Sequence, residues 1–312
     1  MPLLIFLLAL LVAPLAAAQQ PDAALIARAE AGDGDAMDEL AIAYLDANDV
    51  AQALRWARAS AEAGRPEGMN NYAAVLRLND EEAEAERWER AAEAAGSTGA
   101  ALNRAMRLIL TDPAGPGWAE AFAVLERVEH PGIDGAILQI ALNYAQTPGA
   151  DAARGRQLFG LAGERGSAEA QWNLAMMLIN GVGGAVDLPR AYSLTRRAGE
   201  AGFVNGQIST AVMLAIGQGV AEDDVEARLW YQRAAEQRSA AALASLGGML
   251  MNGEGGSVNA PLGWAYITLA ADAGDPRGRA IQNFFNAQVS ETDRRLAEQL
   301  RAAWIVQHGA PQ

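Results

Sequence analysis

The chain has 312 residues and a formal net charge of −14; half of it (51%) is apolar, only 6% is aromatic, and there is no cysteine and only two histidines. An acidic chain lacks the basic surface needed to neutralise phosphates, which argues against a nucleic-acid partner and equally against anionic membrane surfaces. The missing cysteines exclude disulfides, thiolate metal ligands and thiol nucleophiles, and an Ala-rich, aromatic-poor composition fits closely packed helices rather than a β core.

Residues 1–18, MPLLIFLLALLVAPLAAA, place an apolar core from Leu3 to Val12 ahead of Pro14 and the small residues Ala16 to Ala18. This is the pattern of a secretory signal peptide, and the core falls short of the roughly 20 apolar residues of a membrane span. No Arg or Lys precedes the core, so an uncleaved anchor stays open beside cleavage. On either reading the folded part is expected across a membrane from the cytoplasm, periplasmic or secreted, with no membrane integration once the signal is removed. Residues 19–32 carry a short amphipathic run around Leu25 and Ile26, read as an N-terminal capping helix.

From there the sequence repeats. Helix ends are expected at Gly32, Gly64, Gly96, Gly132, Gly166, Gly202, Arg238 and Gly274, spaced 32 to 36 residues apart. Glycine stops helices with a left-handed cap. Four residues after each end stands a small residue: Ala36, Gly68, Ala100, Ala136, Ala170, Gly206, Ala242 and Gly278. Five further on stands another: Ala41, Ala73, Ala105, Ala141, Ala175, Ala211 and Gly247, with Asn283 as a loosened copy. Residues five apart on a helix lie about 140° apart around its axis, so the two small residues would admit two different neighbouring helices. Larger core candidates follow at Leu40 and Tyr44, Tyr72 and Leu76, Ile140 and Tyr144, Leu174 and Leu178, Leu246 and Leu250; in the third copy Arg104 interrupts the pattern. Each unit then turns into a second helix. Asp187, either Asp223 or Asp224, and Asn259 are its expected caps in the fifth to seventh units.

The run AIGQGVAEDDVEARLWYQRAAEQ resembles the Sel1-like repeat through Gly217, Gly219, Val220, Asp223, Ala227, Trp230, Tyr231, Ala234 and Ala235, and the turns at Gly181, Gly183 and at Gly253, Gly255 match more loosely. The resemblance covers roughly residues 33–275. It implies an all-α, right-handed α-solenoid of αα-hairpins, related to the tetratricopeptide solenoids and used mostly as an adaptor surface. On this reading residues 33–289 hold seven hairpins and a terminal first helix. It also implies roles such as envelope signalling or host contact for exported members, and a penicillin-binding, cysteine-rich branch whose cysteines this chain lacks. Residues 290–312 form the C-terminal cap and tail: Ser290 with Asp293 makes a capping box, Leu296, Leu300 and Trp304 space an apolar face, and the tail from His308 is expected to fray.

If the tetratricopeptide geometry carries over, first helices line the concave face. The positions pointing there give an apolar stripe that includes Met106, Leu138, Leu142, Trp172, Met176, Ile179, Ile208 and Val212, whereas the first two units offer Asp38, Asn70 and Arg77. The stripe reads either as a groove for a protein or peptide partner, anchored by Trp172, or as packing between adjacent first helices. His130 has no second histidine at ligand spacing, so a solvated loop residue is expected and no cofactor or metal is implied. Serine-nucleophile, Walker and dinucleotide motifs are absent, and the Gly-x-Gly turns join helices instead of following a strand. The expectation is a non-enzymatic scaffold or regulatory adaptor; the alternative is a cell-wall or β-lactam amide hydrolase of the penicillin-binding branch.

Overall fold

The computed structural model describes residues 21–129 and 133–312, so the leader and the His130–Gly132 segment lie outside the described residues. Among the described residues there are seventeen helices and no strand. They divide into two compact units, Met1–Ala150 and Asp151–Gln312.

Unit 1 contains α1 (Ala23–Glu30), the hairpins α2 (Gly34–Asp46) with α3 (Val50–Glu62), α4 (Pro66–Leu78) with α5 (Glu82–Ala94) and α6 (Thr98–Thr111) with α7 (Trp118–Arg127), then α8 (Ile133–Gln146). Unit 2 begins with α9 (Ala152–Glu164) and continues with α10 (Ala168–Asn180) and α11 (Leu188–Glu200), α12 (Val204–Ala215) and α13 (Asp224–Glu236), α14 (Ala240–Asn252) and α15 (Ala260–Asp272), then α16 (Pro276–Phe285) and α17 (Glu291–His308). Each unit is a run of stacked antiparallel helices, an α-solenoid. No helix among the described residues is long and apolar enough to cross a membrane.

The repeat frame has a physical cause at each of its fixed points. All seven described helix ends take positive φ, from 70° at Arg238 to 97° at Gly166. At Gly202 the turn is closed by Gly202 N–H donating to Gly199 C=O and Phe203 N–H to Ala198 C=O, both at 3.0 Å, the paired bonds of a Schellman cap. Fifteen of the sixteen small residues are buried, and Asn283, the loosened copy, is exposed. The two sets meet different neighbours, as their angular separation requires. A Cβ on Gly206 would lie 2.7 Å from the backbone of Gly199 on the preceding second helix, while one on Gly247 would lie 2.8 Å from Gly263 C=O on the following one.

The Gly-x-Gly turns of unit 2 are explained by the same kind of approach. A Cβ on Gly183, Gly219 or Gly255 would fall 2.2 to 2.4 Å from the carbonyl oxygen of Ala152, Leu188 or Asp224, each in the first turn of the preceding second helix. These glycines seat the turn on the neighbouring hairpin; Asp187 and Asn259 cap their second helices as expected, and of the pair Asp223 and Asp224 it is Asp223 that caps.

Two readings of the C-terminal end are corrected. Leu296 is 45% exposed and leaves the expected face of α17, which Leu300 and Trp304 form together with Ala297. The tail does not fray at His308. The His308 ring stacks on Trp304, Gln312 N–H donates to Arg238 C=O (2.8 Å), and Ala240 N–H donates to Gln312 C=O (3.0 Å). Arg238, the one helix end without glycine, is thus the turn on which the tail docks.

Candidate functional site

The candidate face is built from first helices. In unit 2, Trp172, Met176 and Ile179 on α10 and Ile208 and Val212 on α12 are all half-buried. Trp172 bridges the two helices: its indole N–H donates to Ser209 Oγ at 3.0 Å, and its ring lies 5.9 Å from that of Phe203. Ile208 and Val212 rest on the core cluster that contains Trp230, Leu243 and Leu246. The inner edges of Trp172, Ile208 and Val212 therefore pack between repeats, while all five side chains keep an edge in solvent. An uncharged, partly apolar strip results, with Ser209 and Asn173 as its polar neighbours.

Unit 1 treats the same positions differently. Leu138 and Leu142 on α8 are half-buried, but Met106 on α6 is only 3% exposed, and Leu102 and Ile109 beside it are fully buried. Met106 therefore leaves the candidate face: α6 turns this side into the core. Asp38, Asn70 and Arg77 are engaged with neighbouring helices. Asp38 pairs with Arg65 at 3.2 Å, Asn70 accepts from Asn103 Nδ2 at 3.1 Å, and Arg77 lies 2.9 Å from Glu89.

Arg104, the apparent defect of the third copy, is a clamp. It pairs with Glu93 on α5 and with Glu120 on α7, the latter at 2.9 Å. The Glu93 hydrogen bond is the main cause that raises the Arg104 guanidinium above its ordinary range, and the Arg104 bond holds the Glu120 carboxyl below its own.

Sequence reasoning passed over the glutamines next to the small residues. Gln171 and Gln207 are buried; their side-chain amides donate to Gly163 C=O (2.8 Å) and Gly199 C=O (3.2 Å), and Gln237 donates to Gln207 Oε1 (2.9 Å). The two glutamines give a second partner to helix-end carbonyls that already accept from Gly166 N–H and Gly202 N–H, and so tie each first helix to the second helix before it. The signal was present in the frame, because Gln171 and Gln207 both directly follow a first small residue. No cluster of three or more His, Asp or Glu side chains suited to a metal ion occurs among the described residues.

A hairpin array with a partly apolar first-helix face defines a class, the helical-repeat scaffold. The chain is a Sel1-repeat protein: the Sel1 repeat model matches residues 34–64, 168–203, 205–239 and 240–275. Proteins of this family are in general protein-interaction scaffolds and typically non-enzymatic. The structure is similar to a protective antigen present in uropathogenic Escherichia coli strains that displays an SLR fold (TM-score 0.55, 21% identity), covering 91% of this chain and 63% of the antigen. The chain thus spans less than two thirds of that protein's length. It is also similar to a Sel1 repeat protein from Oxalobacter formigenes (TM-score 0.54, 20% identity), over 96% of this chain and 99% of that one. At these identities the likeness speaks to the fold. No curated protein matches the chain.

Proposed function

We propose that the chain is an exported scaffold or regulatory adaptor that holds a protein or peptide segment against the first-helix face of unit 2, around Trp172, Met176, Ile179, Ile208 and Val212. One observation carries this reading: five apolar side chains on two adjacent first helices are half-buried and keep an exposed edge. Apolar anchors at one-turn spacing favour an amphipathic segment over a compact polar ligand. Export rests on the leader-like residues 1–18 and places the scaffold in the periplasm or outside the cell.

A photo-crosslinking amino acid at Met176, against a control at the exposed Ser193 on α11, tests the docking reading in intact cells. The expected result is one discrete adduct at position 176, none at 193, and loss of the adduct when Val212→Glu is added with helicity unchanged. Equal labelling at both positions overturns it. N-terminal sequencing of the protein from the periplasmic fraction tests export; a chain that still begins at Met1 and stays in the cytoplasm defeats that part.

A further inference from the structure

Unit 1 carries a cleft of about 420 Å³ between the second helices α3 and α5, floored by α4. Its working surface is Leu54, Arg58, Tyr72, Glu84 and Trp88. Tyr72 and Trp88 meet edge to face at 5.4 Å, so the floor is aromatic. Arg58 lines the α3 wall and Glu84 the α5 wall. The volume lies within the range of about 300–1,000 Å³ common to small-molecule sites.

The repeat frame supplies the control. Counted from the helix ends, Leu54, Arg58, Glu62, Tyr72, Glu84 and Trp88 correspond to Tyr192, Arg196, Glu200, Thr210, Glu226 and Trp230 in unit 2. There the space between α11 and α13 is bridged. Arg196 bonds Tyr192 Oη, Glu200 and Glu226, each at 3.1 Å, and the Trp230 indole N–H donates to Glu226 at 3.2 Å. In unit 1, among the described residues, Arg58 pairs only with Glu62, at 2.8 Å. Glu84 has no ion pair and Trp88 no indole hydrogen bond among the described residues. The shorter Leu54 at the Tyr192 position leaves the wall open.

The two unbridged charges still sense each other across the gap. The Arg58 guanidinium is held above its ordinary range chiefly by Glu62, with Glu84 a smaller contributor, and the Tyr72 phenol is raised first by burial and then by Glu84. The opening is thus an aromatic floor between a cationic and an anionic wall. The bridge that closes its counterpart is missing.

We propose that this cleft binds a small aromatic zwitterion of the α-amino-acid type, with its ring on Tyr72 and Trp88, its carboxylate at Arg58 and its ammonium at Glu84. Such a ligand supplies with its own two charges what the Arg196–Glu226 pair supplies within unit 2. Ring packing and charge-assisted hydrogen bonds add in one pose. The site is independent of the first-helix face proposed for a protein partner.

Calorimetric titration of the full chain with L-phenylalanine at low salt, followed in parallel through the Trp88 indole N–H resonance, tests it. The expected result is saturable binding by both readouts with one dissociation constant, and at least tenfold weaker binding of N-acetyl-L-phenylalanine amide, which keeps the ring and loses both charges. Arg58→Gln and Glu84→Gln should each weaken binding about tenfold, equivalent to about 1.4 kcal/mol. Leu54→Tyr, which restores the unit 2 wall, should abolish binding with helicity unchanged. No saturable binding up to about 10 mM, equal binding of the amide, or binding that survives Leu54→Tyr overturns the proposal.

Discussion

Two joints, one in each unit, fill one equivalent interior position of the repeat frame in opposite ways. Seven residues before a helix end, a second-helix side chain points at the first helix that follows, where it meets the residue seven beyond the first small one. In unit 2 this pair is Thr195 and Met213, a buried contact with Thr195 Oγ1 3.7 Å from the sulfur. In unit 1 it is Glu89 and Arg107, joined by Arg77, and Glu89 is 1% exposed. Two cations flank one carboxylate, and the ledger of bonds is incomplete: Glu89 Oε1, Arg107 Nε and Arg77 Nη2 lack hydrogen-bond partners, although Arg77 Nη2 lies 2.9 Å from Glu89. A buried ion cluster of this kind fixes which helices pair more than it stabilises them, because desolvation offsets most of the Coulomb attraction. The same backbone geometry is therefore reached by charge pairing at this joint of unit 1 and by apolar packing at its unit 2 counterpart, as also at the fully buried Ala57 and Val75 within unit 1.

The sharpest way to break this comparison is Glu89→Gln. Arg107 would lose its carboxylate partner and Arg77 would keep only Glu82, at 3.2 Å, and hydrogen exchange across α4, α5 and α6 should report a loss of about 3–5 kcal/mol of protection. The triple replacement Arg77→Ile, Glu89→Thr and Arg107→Met transplants the unit 2 residues Ile179, Thr195 and Met213 into unit 1. It should fold at least as stably as the parent; a triple variant less stable than Glu89→Gln would show that the cluster contributes net stability. The turns provide a second contrast. Gly219→Ala in unit 2 combines left-handed strain with the close approach of Leu188 and should cost about 3 kcal/mol or more in thermal unfolding. Gly32→Ala in unit 1, where a Cβ meets nothing within 4 Å, should cost only the strain, about 1–2 kcal/mol.

Much of this was legible beforehand. The helix ends, the small-residue pairs and the caps at Asp187, Asp223 and Asn259 follow from spacing, because helix geometry converts a fixed interval into a fixed direction. The candidate face was legible only in part. Position alone placed Met106 beside Trp172 in kind, yet α6 buries Met106 while α10 leaves Trp172 half-open, since burial depends on which neighbour covers a position. The docked tail was not legible at all: its two backbone hydrogen bonds to Arg238 and Ala240 carry no side-chain signature.

Smaller effects sharpen the contrast between the ends of the units. Deleting residues 309–312 removes those two bonds, each worth about 0.5–1.5 kcal/mol net, so exchange protection of α17 should fall by about 1–2 kcal/mol while unit 1 is unchanged. The acid limb should depend weakly on Glu120. Its folded-state carboxyl is held below the ordinary 4.5 by Arg104, so the pairing stabilises above that value and is lost as pH falls through the lower folded-state value. Glu120→Gln should flatten this limb by less than about 1 kcal/mol, because the side chain is largely solvated; urea midpoints compared at pH 3 to 6 (about one measurement per half unit) would show it.

By itself the sequence determined the repeating unit: where helices stop, which side chains must be small and which polar residues begin the next helix, all of them local consequences of backbone geometry and steric size. Only the tertiary structure decided what occupies the spaces that the frame leaves between hairpins. Whether Glu89 meets Arg107, whether Arg58 reaches Glu84 as Arg196 reaches Glu226, and where the tail lands depend on the approach of segments far apart in the chain. Those contacts turn on differences of a few ångströms, to which spacing along the chain is blind.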